Sequence, residues 1–354
     1  MAVLGGGPAG TATALALRRF GLSAAVIEKS AYADLRIGET LPPAVRPLLT
    51  DLGVWDRFAN DGHLASFGIR SAWGTPVLHE NDFIVNPYGA GWHVDRARFD
   101  AMLASCAEEA GAKVFRETAV TSCVRDAGRW QIEAANHRFT ADFIVDATGR
   151  SSSFARAQGI RRIAFDRLIA VIAFGTLAKE SANSFTLIES AENGWWYSAV
   201  LPGSRAVVAY MTDSDLFDND VWRRELQRTV HAQSIIKDCA FDALPRVAAA
   251  NSSRLANVSG DGWLAVGDAA MSFDPLSGQG ICTALRWSLQ AARAIQQRAS
   301  ADYERATKES FDRFLQIRES FYRKETRWPM SPFWQRRQAA PPPSLTNGAA
   351  HLQA

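Results

Sequence analysis

The chain begins with a short apolar stretch, Ala2–Leu4, that leads directly into a glycine-rich turn. The turn consists of Gly5, Gly6, Gly7, Pro8, Ala9 and Gly10. Gly5, Gly7 and Gly10 have the G-x-G-x-x-G spacing, in which the glycines make a tight turn, let the backbone approach a diphosphate, and let helix pack against strand. We predict that helix over Thr11–Phe20, with its N-terminal N–H groups facing an anion. The pattern therefore predicts a strand, turn and helix that cradle a diphosphate.

A second apolar run, Ala24–Ile27, ends in Glu28. A carboxylate at this distance from the glycine turn accepts hydrogen bonds from the hydroxyls of an adenosine ribose and repels a ribose 2′-phosphate. We therefore expect FAD or NAD here rather than NADP. A purely structural turn is the alternative, but this motif has its strand, helix, second strand and acid. Because the first strand is unusually short, we also expect the native chain to start upstream of Met1.

Two further segments have the same character of a buried strand followed by small residues. The first contains Asp146, Ala147, Thr148, Gly149 and Arg150. The second contains Gly267, Asp268, Pro275, Gly278, Gln279 and Gly280, and a predicted helix, Ile281–Gln297, follows it. Small residues at a strand end allow close backbone approach, and a glycine-rich loop before a helix presents N–H groups to an anion. For Ala147 to Gly149 a plain strand-end turn is the alternative.

Charge and cysteine content exclude several classes of function. The 354 residues carry 39 Lys and Arg against 37 Asp and Glu, a net charge of +2 that gives no reason to expect a nucleic-acid partner. The cysteines Cys106, Cys123, Cys239 and Cys282 share no metal-site or disulfide spacing, so we predict no metal and a reducing compartment. No apolar run approaches the ~20 residues of a membrane span, and the first residues lack a basic region followed by a secretory apolar core, so we expect neither a membrane span nor a secretory signal. We expect a soluble, cytoplasmic protein.

The segment from Ile163 to Met211 is rich in predicted strands, which indicates an antiparallel sheet inserted between the nucleotide-binding segments. Within it, Trp195 and Tyr197 share one face of a strand because side chains alternate. They are our candidates for contact with a substrate, although aromatic residues in a sheet also form cores. Earlier in the chain, Arg36 and Glu39 lie in a proline-containing loop. They either form a surface ion pair or lie along the bound dinucleotide.

The three glycine-containing segments, Gly5–Glu28, Asp146–Arg150 and Gly267–Gly280, resemble the FAD fingerprints of the para-hydroxybenzoate-hydroxylase-like flavoproteins. The resemblance implies that Gly267 and Asp268 bind the ribitol and diphosphate, that Pro275–Gly280 lies beside the isoalloxazine ring, and that Arg96 lies near the cofactor. A helix N-terminus aimed at the ring would stabilise its anionic reduced form.

Within that superfamily the chain looks most like the tryptophan-halogenase-like branch. The similar segments are Arg36–Pro42, the Trp-rich strand Gly194–Pro202 and Glu325–Trp334. Two departures argue against halogenation. Flavin-dependent halogenases have a lysine shortly before a Gly-Ile-Arg-like strand, whereas Ser66 and Phe67 precede Gly68 here; and their W-x-W-x-I-P pattern is replaced by Trp195-Trp196-Tyr197-Ser198-Ala199-Val200-Leu201-Pro202.

The resemblance implies an α/β fold with a Rossmann-like FAD-binding domain, an inserted, mostly antiparallel β-sheet substrate domain and C-terminal helices. We predict FAD-binding segments at 1–78, 96–162 and 251–298, a substrate-domain strand segment at 79–95, the antiparallel sheet at 163–250, a helical region at 299–335 and a disordered tail at 336–354. We also predict helices over 221–232 and 302–327.

The resemblance also implies an FAD-dependent monooxygenase that hydroxylates an electron-rich aromatic ring through a flavin C4a-hydroperoxide, with O₂ as co-substrate. The chain is similar to flavoprotein maturases that oxygenate a protein-bound tryptophan during quinone-cofactor formation. The expected partner is therefore an aromatic substrate or a protein that carries the target tryptophan. Electrons come from NAD(P)H or a separate reductase. The alternatives are a halogenase-like enzyme, a flavin dehydrogenase or oxidase, and an FAD-containing assembly factor without catalysis. The six histidines are scattered, and we name no catalytic acid or base.

Overall fold

The strands of the protein were located in a computed structural model that describes residues 1–179, 184–237, 239–242 and 244–339. In chain order they are β1 (Ala2–Leu4), β2 (Ala25–Ile27), β3 (Thr40–Leu41), β4 (Leu64–Ser66), β5 (Gly68–Ala72), β6 (His79–Asp82), β7 (Gly91–His93), β8 (Lys113–Phe115), β9 (Val120–Asp126), β10 (Arg129–Ala134), β11 (His137–Ala141), β12 (Ile144–Asp146), β13 (Arg162–Ala164), β14 (Leu168–Leu177), β15 (Phe185–Ala191), β16 (Gly194–Leu201), β17 (Arg205–Asp213), β18 (Cys239–Phe241), β19 (Arg246–Ala249), β20 (Ser253–Leu255), β21 (Ser259–Gly260), β22 (Trp263–Ala265) and β23 (Met271–Ser272).

The structure also contains ten helices of four or more residues within its described part, and the last three elements in chain order are helices. They are α1 (Pro8–Arg19), α2 (Val45–Asp51), α3 (Trp55–Ala59), α4 (Arg96–Glu109), α5 (Ser153–Ala157), α6 (Asn219–Arg228), α7 (Gln233–Ile236), α8 (Gly280–Gln297), α9 (Ser300–Tyr322) and α10 (Pro332–Gln338). Among the described residues no helix is both long enough and apolar enough to cross a lipid bilayer.

A six-stranded, mostly parallel sheet has the strand order β21-β22-β12-β1-β2-β8. The strands from β22 to β8 run parallel, and β21 joins the edge antiparallel to β22. In this register Leu4 of β1 lies between Ile27 and Asp146, and Asp146 in turn pairs with Ala265. The carboxyl ends of β1, β2, β12 and β22 therefore meet at one edge, which confirms the predicted α/β, Rossmann-like fold.

A second, larger sheet has the order β18-β14-β17-β16-β15-β5-β6, and β19 also pairs with β14. Its pairs are antiparallel except β5 with β15, which run parallel, so the prediction of a mostly antiparallel sheet is confirmed. Both β5 and β6 belong to this sheet. Because β5 covers residues 68–72, the sheet includes residues that precede the predicted boundary at residue 79. The domain boundaries given above remain a proposal.

Two predicted helices end earlier than the sequence indicates. The helix predicted over 221–232 stops at Arg228, because the buried carboxylate of Glu189 accepts the backbone N–H groups of Val230, His231 and Ala232 and holds them outside a helix. The helix predicted over 302–327 stops at Tyr322. Beyond it, Glu325 accepts hydrogen bonds from the backbone and the guanidinium of Arg327, which stabilises a turn.

The C-terminal segment packs onto one face of the large sheet. Tyr322, Phe333 and Trp334 are buried there in a cluster with Trp195. The prediction of disorder from residue 336 is wrong for 336–338, which belong to α10; residues 340–354 lie outside the described part of the chain. Arg336 and Arg337 both pair with the buried Asp213 at the end of β17, so charge as well as apolar burial stabilises this contact.

The Arg337–Asp213 ion pair yields a stability prediction. Nη2 of Arg337 lies 2.6 Å from Oδ1 of Asp213, and the side chains are 6% and 2% exposed. We expect Arg337→Ala to lower the free energy of unfolding by about 3 kcal/mol, since a buried carboxylate loses a partner. Urea denaturation of the two proteins measures the difference.

The matched control is Arg138→Ala, because the Arg138 side chain is 88% exposed and its nearest carboxylate, on Glu133, is 3.6 Å away. This variant should change stability by less than about 0.5 kcal/mol. Equal effects of the two substitutions would contradict the proposed contribution of the buried pair.

Candidate active site

A cavity of about 790 Å³ lies where the carboxyl ends of the parallel strands face the large sheet. Its volume is within the usual range for small-molecule and cofactor sites. Most residues predicted from the sequence line it: Gly5, Gly7, Pro8, Ala9, Glu28, Arg36, Glu39, Arg96, Ala147, Thr148, Gly149, Tyr197, Asp268, Pro275, Gly278, Gln279 and Gly280. The structure thus brings all three predicted segments to one cavity. Gly10, Gly267 and Trp195 are not part of its wall.

The glycines at the cavity have different physical roles. A side chain on Gly10 would overlap the carbonyl oxygen of Gly5, and a Cβ on Gly267 would lie 2.6 Å from the Cβ of Ala9. Gly10 and Gly267 therefore permit close approach of backbone segments behind the wall. By contrast, a Cβ on Gly7 would meet no atom within 4 Å. Gly7 leaves open space beside the start of α1, as a diphosphate cradle requires.

Glu28 lies at the end of β2 with its carboxylate engaged on both oxygens. Oε2 accepts from the backbone N–H of Gly6 at 2.6 Å, and Oε1 accepts from the backbone of Ser30 at 2.9 Å and from Arg36 at 3.4 Å. Burial acts to raise the pKa of Glu28, but the hydrogen bonds from Ser30 and Gly6 outweigh it, so the pKa lies below its usual value. A carboxylate oxygen has two acceptor sites, so Oε2 retains capacity for one hydroxyl of a bound ribose.

Arg36 and Arg96 are held by a residue that the sequence did not identify, the fully buried Asp100 of α4. Oδ2 of Asp100 accepts from Nη1 of Arg36 and from Nη2 of Arg96, each at 3.1 Å. The alternative of a surface ion pair between Arg36 and Glu39 is therefore wrong, since Arg36 pairs with Asp100 and Glu28. Both guanidinium groups line the cavity and supply positive charge to it.

Asp146, at the end of β12, fixes the Ala147–Gly149 turn. Its carboxylate accepts from the backbone and hydroxyl of Thr148, at 3.0 and 2.7 Å, and from the backbone N–H of Ala155 at 2.9 Å. The side chain is fully buried, and burial raises its pKa despite these bonds. Its role is to hold the turn at the cavity wall, and its position at a strand end was the only signal of that role in the sequence.

The third segment is fixed from the C-terminal side. Asp274 accepts from the backbone of Leu276 at 2.9 Å and from the hydroxyl of Tyr322 at 2.8 Å, which anchors the 275–280 loop to α9. Asp268 lies at the cavity with its carboxylate 3.5 Å from Nε of Arg150. Arg150 therefore partly balances the negative charge of Asp268. Helix α8 begins at Gly280, the last residue of the loop.

Trp195 and Tyr197 share one sheet face, as predicted, but different groups cover them. The Trp195 side chain is 0% exposed, donates from Nε1 to the Tyr322 hydroxyl at 3.0 Å, and contacts the C-terminal cluster instead of the cavity. Trp195 is therefore not in a position to contact a substrate in the cavity. The alternation of side chains predicts the sheet face of a residue, but it does not predict which part of the chain packs on that face. Tyr197 does line the cavity, and its hydroxyl lies 2.7 Å from Oγ1 of Thr40.

Glu39 is an ionisable group in the cavity wall whose environment the sequence did not reveal. It is 3% exposed, its Oε2 accepts from the backbone of Gly38 at 3.1 Å, and its Oε1 has no hydrogen-bond partner among the described residues. Burial raises the pKa of Glu39 to about 7, although nearby Arg96 acts in the opposite direction. Glu39 is therefore a buried carboxyl group with one oxygen left without a hydrogen bond among the described residues.

The architecture matches a known family of cofactor-binding proteins. Residues 1–327 match the family model described as the FAD binding domain. The chain belongs to this family. The open space at Gly7, the N–H groups at the start of α1 and the spare acceptor at Glu28 fit an adenine dinucleotide, so the prediction of FAD is confirmed at the level of the family.

The relatives narrow the class. LodB of Marinomonas mediterranea, named as an FAD-dependent oxidoreductase, is 31% identical over 95% of this chain and 96% of its own length. The tryptophan 2-halogenase of Chondromyces crocatus is 25% identical over 96% of this chain and 70% of its own. The solved structure of QhpG, a peptidyl tryptophan dihydroxylase essential for tryptophylquinone cofactor biogenesis, is 26% identical with a TM-score of 0.80, over 96% of this chain and 78% of its own. The protein is an FAD-dependent oxidoreductase of the tryptophan-halogenase-like branch, as predicted.

Gly7→Ala tests the cofactor cradle. Gly7 has a φ of −69° and a ψ of −178°, a conformation open to alanine, and its Cβ would project into free space. We expect FAD affinity to fall at least about tenfold, while the FAD-free protein keeps its stability within about 0.5 kcal/mol. FAD titration and urea denaturation measure the two effects.

Gly10→Ala is the matched comparison, because its methyl group would overlap the Gly5 carbonyl and should destabilise the FAD-free protein itself. If Gly7→Ala bound FAD normally, the diphosphate would not lie beside this glycine.

Glu39→Gln tests the buried acid by pH. Because folding raises the pKa of Glu39 from 4.5 to about 7, the native state binds the extra proton between these values, and stability falls as pH rises through that range. We compare the free energy of unfolding of Glu39→Gln with that of wild type at each pH. We expect this difference to change in favour of the variant by up to ~3 kcal/mol as the pH rises from acidic values to above pH 7. Urea denaturation at pH 5 and pH 8 measures the change; a pH-independent difference would show that Glu39 titrates normally.

Proposed function

We propose that this protein is an FAD-dependent monooxygenase that hydroxylates an electron-rich aromatic ring, and that the ring is a tryptophan side chain of a partner protein. The observation that carries the proposal is the part of the cavity wall that the large sheet supplies. It is an apolar sheet face made of Ala170, Ile172, Val207, Ala209 and Met211, with Tyr197 among them. Such a wall suits an aromatic ring and excludes the water that would intercept an activated oxygen species.

The position of lysine supports hydroxylation over halogenation. Among the described residues that line the cavity, Lys29 is the single lysine, and it follows Glu28 at the end of β2. That end of the cavity is the one we assign to the ribose. The positions before Gly68 hold a buried Ser66 and an exposed Phe67, neither of which can form an adduct with oxidised halogen as an amine does. Similarity to the tryptophan 2-halogenase keeps halogenation as the second candidate.

The assignment to a peptidyl substrate is supported by QhpG, a peptidyl tryptophan dihydroxylase whose fold matches over 96% of this chain. The four cysteines are free thiols, two of them buried, which agrees with a reducing, cytoplasmic location. We include that location in the proposal, together with O₂ as co-substrate and either NAD(P)H or a separate reductase as electron donor.

In this mechanism the reduced cofactor supplies the chemistry of oxygen activation. The residues of the chain bind and orient. The N-terminus of α1 and Gly7 would hold the diphosphate, Glu28 the ribose, and the 275–280 loop with the N-terminus of α8 the reactive ring. The Asp274–Tyr322 hydrogen bond fixes that loop, and the sheet face holds the substrate ring and excludes water.

The test is a single-turnover reaction under ¹⁸O₂. The FAD-loaded protein is reduced, mixed with N-acetyltryptophanamide or tryptophan-containing peptides in the presence of chloride and bromide, and the products are weighed by mass spectrometry. We expect ¹⁸O in the indole product. Halogenated product would favour the second candidate, and hydrogen peroxide or dehydrogenated product without oxygen transfer would contradict both.

The control is FAD-free protein, prepared by removing the cofactor and supplied with the same reductant. It should yield no modified product, because the cofactor activates oxygen. Modification at an undiminished rate without FAD would exclude FAD-dependent catalysis by this chain.

A further inference from the structure

One edge of the large sheet lies unpaired beside the cavity. Strand β19 (Arg246–Ala249) pairs with β14 on one side, and no strand of the described chain pairs with its other side, which we call the open edge. Three of the four residues of β19 are exposed, and Val247 is 54% exposed. Ala249 is both exposed and part of the cavity wall. The open edge therefore borders the mouth of the cavity.

The register shows which backbone groups point out from the open edge. The backbone N–H of Ala250 donates to the carbonyl oxygen of Leu168 at 3.0 Å. This bond lies one position beyond the paired residues Ile169 and Ala249. In an antiparallel pair, hydrogen-bonded positions alternate with positions whose N–H and C=O groups point to the other side. The backbone groups of Val247 and Ala249 therefore point away from β14, and they have no backbone partner among the described residues.

A row of side chains connects the open edge to the cavity wall. Ala248 lies directly opposite Ala170 of β14, and Ala170 lies opposite Met211 of β17. Ala170 and Met211 line the cavity, and Ala248 packs on the same face of the sheet. Because the first two residues of the row are alanines, an aromatic side chain that starts at the open edge has room to lie along it toward the cavity.

We propose that β19 binds an extended segment of the partner protein as an added antiparallel strand, and that the target tryptophan lies opposite Ala248 with its indole directed along the row into the cavity. The inference rests on the proposed function for its substrate class. An added strand lies about 4.8 Å from β19, and aromatic side chains reach diagonal as well as opposite neighbours. Main-chain hydrogen bonds to Val247 and Ala249 would hold the segment, and the cavity would select its tryptophan.

The opposite edge of the same sheet lacks this combination. Strand β6 (His79–Asp82) is exposed along its length, but none of its residues lines the cavity. The N–H of Phe83 donates to the carbonyl oxygen of Phe67 at 2.8 Å, so by the same alternation the backbone groups of Glu80 and Asp82 point outward. Charged residues at a sheet edge oppose the addition of a strand. The outward positions of β19 hold valine and alanine instead.

The experiment measures binding to the oxidised, FAD-loaded protein without reductant. The probes are N-acetyltryptophanamide and a short peptide in which β-branched residues flank a central tryptophan, each titrated by calorimetry. We expect wild type to bind the peptide at least about tenfold more tightly, because main-chain hydrogen bonds add to the contact of the indole. Hydrogen–deuterium exchange at the amides of Val247 and Ala249 should slow when the peptide binds.

Val247→Pro removes an outward N–H group and leaves the hydrogen bonds to β14 in place. We expect it to weaken peptide binding at least about tenfold and to leave binding of N-acetyltryptophanamide unchanged. Glu80→Pro is the matched control, because it places proline at an outward position of the opposite edge, and it should change neither affinity. FAD content and near-ultraviolet circular dichroism establish that each variant is folded.

A second measurement uses the wild-type protein alone. In the proposed register the residues on either side of the tryptophan present their N–H groups to β19, whereas the N–H of the tryptophan points away. N-methylation of the two flanking residues should therefore weaken peptide binding at least about tenfold, and N-methylation of the tryptophan amide should not.

Four results would overturn the inference. They are equal affinity of wild type for the two probes, no binding of either probe, undiminished peptide binding by Val247→Pro, and undiminished binding of the peptide methylated at its flanking residues. A wild-type dimer in light scattering that Val247→Pro abolishes would also overturn it, because a second copy of this chain would then cover the open edge.

The result is separable from the test of oxygen transfer. Peptide binding with the expected effects of proline and methylation, but without ¹⁸O in any product, would leave the added strand intact and contradict the monooxygenase. Transfer of ¹⁸O to N-acetyltryptophanamide and to the peptide with equal affinity would support the monooxygenase and contradict the added strand.

Discussion

The close approach of α1 to the Gly267 turn is the constraint on which the cavity depends. The missing side chain at Gly267 lets the turn after β22 lie against Ala9, and the hydroxyl of Ser288 in α8 donates to the Ala9 carbonyl at 2.8 Å. Gly5 in the same way admits the carbonyl of Ala147 after β12. These contacts bring segments from the start, middle and end of the chain to one sheet edge. A cofactor that spans this edge is held by all three, so small residues here serve binding through geometry rather than through their own chemistry.

The large sheet and the C-terminal segment act on the cavity from the other side. The indole N–H of Trp195 donates a hydrogen bond to the Tyr322 hydroxyl, and the Tyr322 hydroxyl donates one to the carboxylate of Asp274, which precedes the 275–280 loop. The guanidinium of Arg337 lies 5.2 Å from the Tyr322 ring and pairs with Asp213 of the sheet. The aromatic cluster therefore connects the sheet to the loop that we assign to the reactive ring. In this arrangement Trp195 stabilises the site without lining it.

The sequence predicted the features that depend on local backbone requirements. The glycine spacing with the acid after β2, the small residues after β12 and the loop before α8 are each encoded within a few residues, so all three segments were found. Asp100 and the supporting roles of Asp146 and Asp274 were not found, because a carboxylate shows its partner only after folding. The end of helix α6 at Arg228 was not predicted for the same reason, because the carboxylate that binds the following backbone belongs to Glu189 of β15. Periodicity placed Trp195 and Tyr197 on one face, but only the packing of α9 and α10 separates a core position from a cavity position.

The central claim is that the three segments bind one FAD together. Hydrogen–deuterium exchange of the protein with and without FAD tests it directly. The account predicts that FAD slows exchange in the peptides that contain residues 5–10, 147–149 and 267–280, all with the same dependence on FAD concentration. Slower exchange in only one of these segments, or different FAD dependences among them, would contradict it.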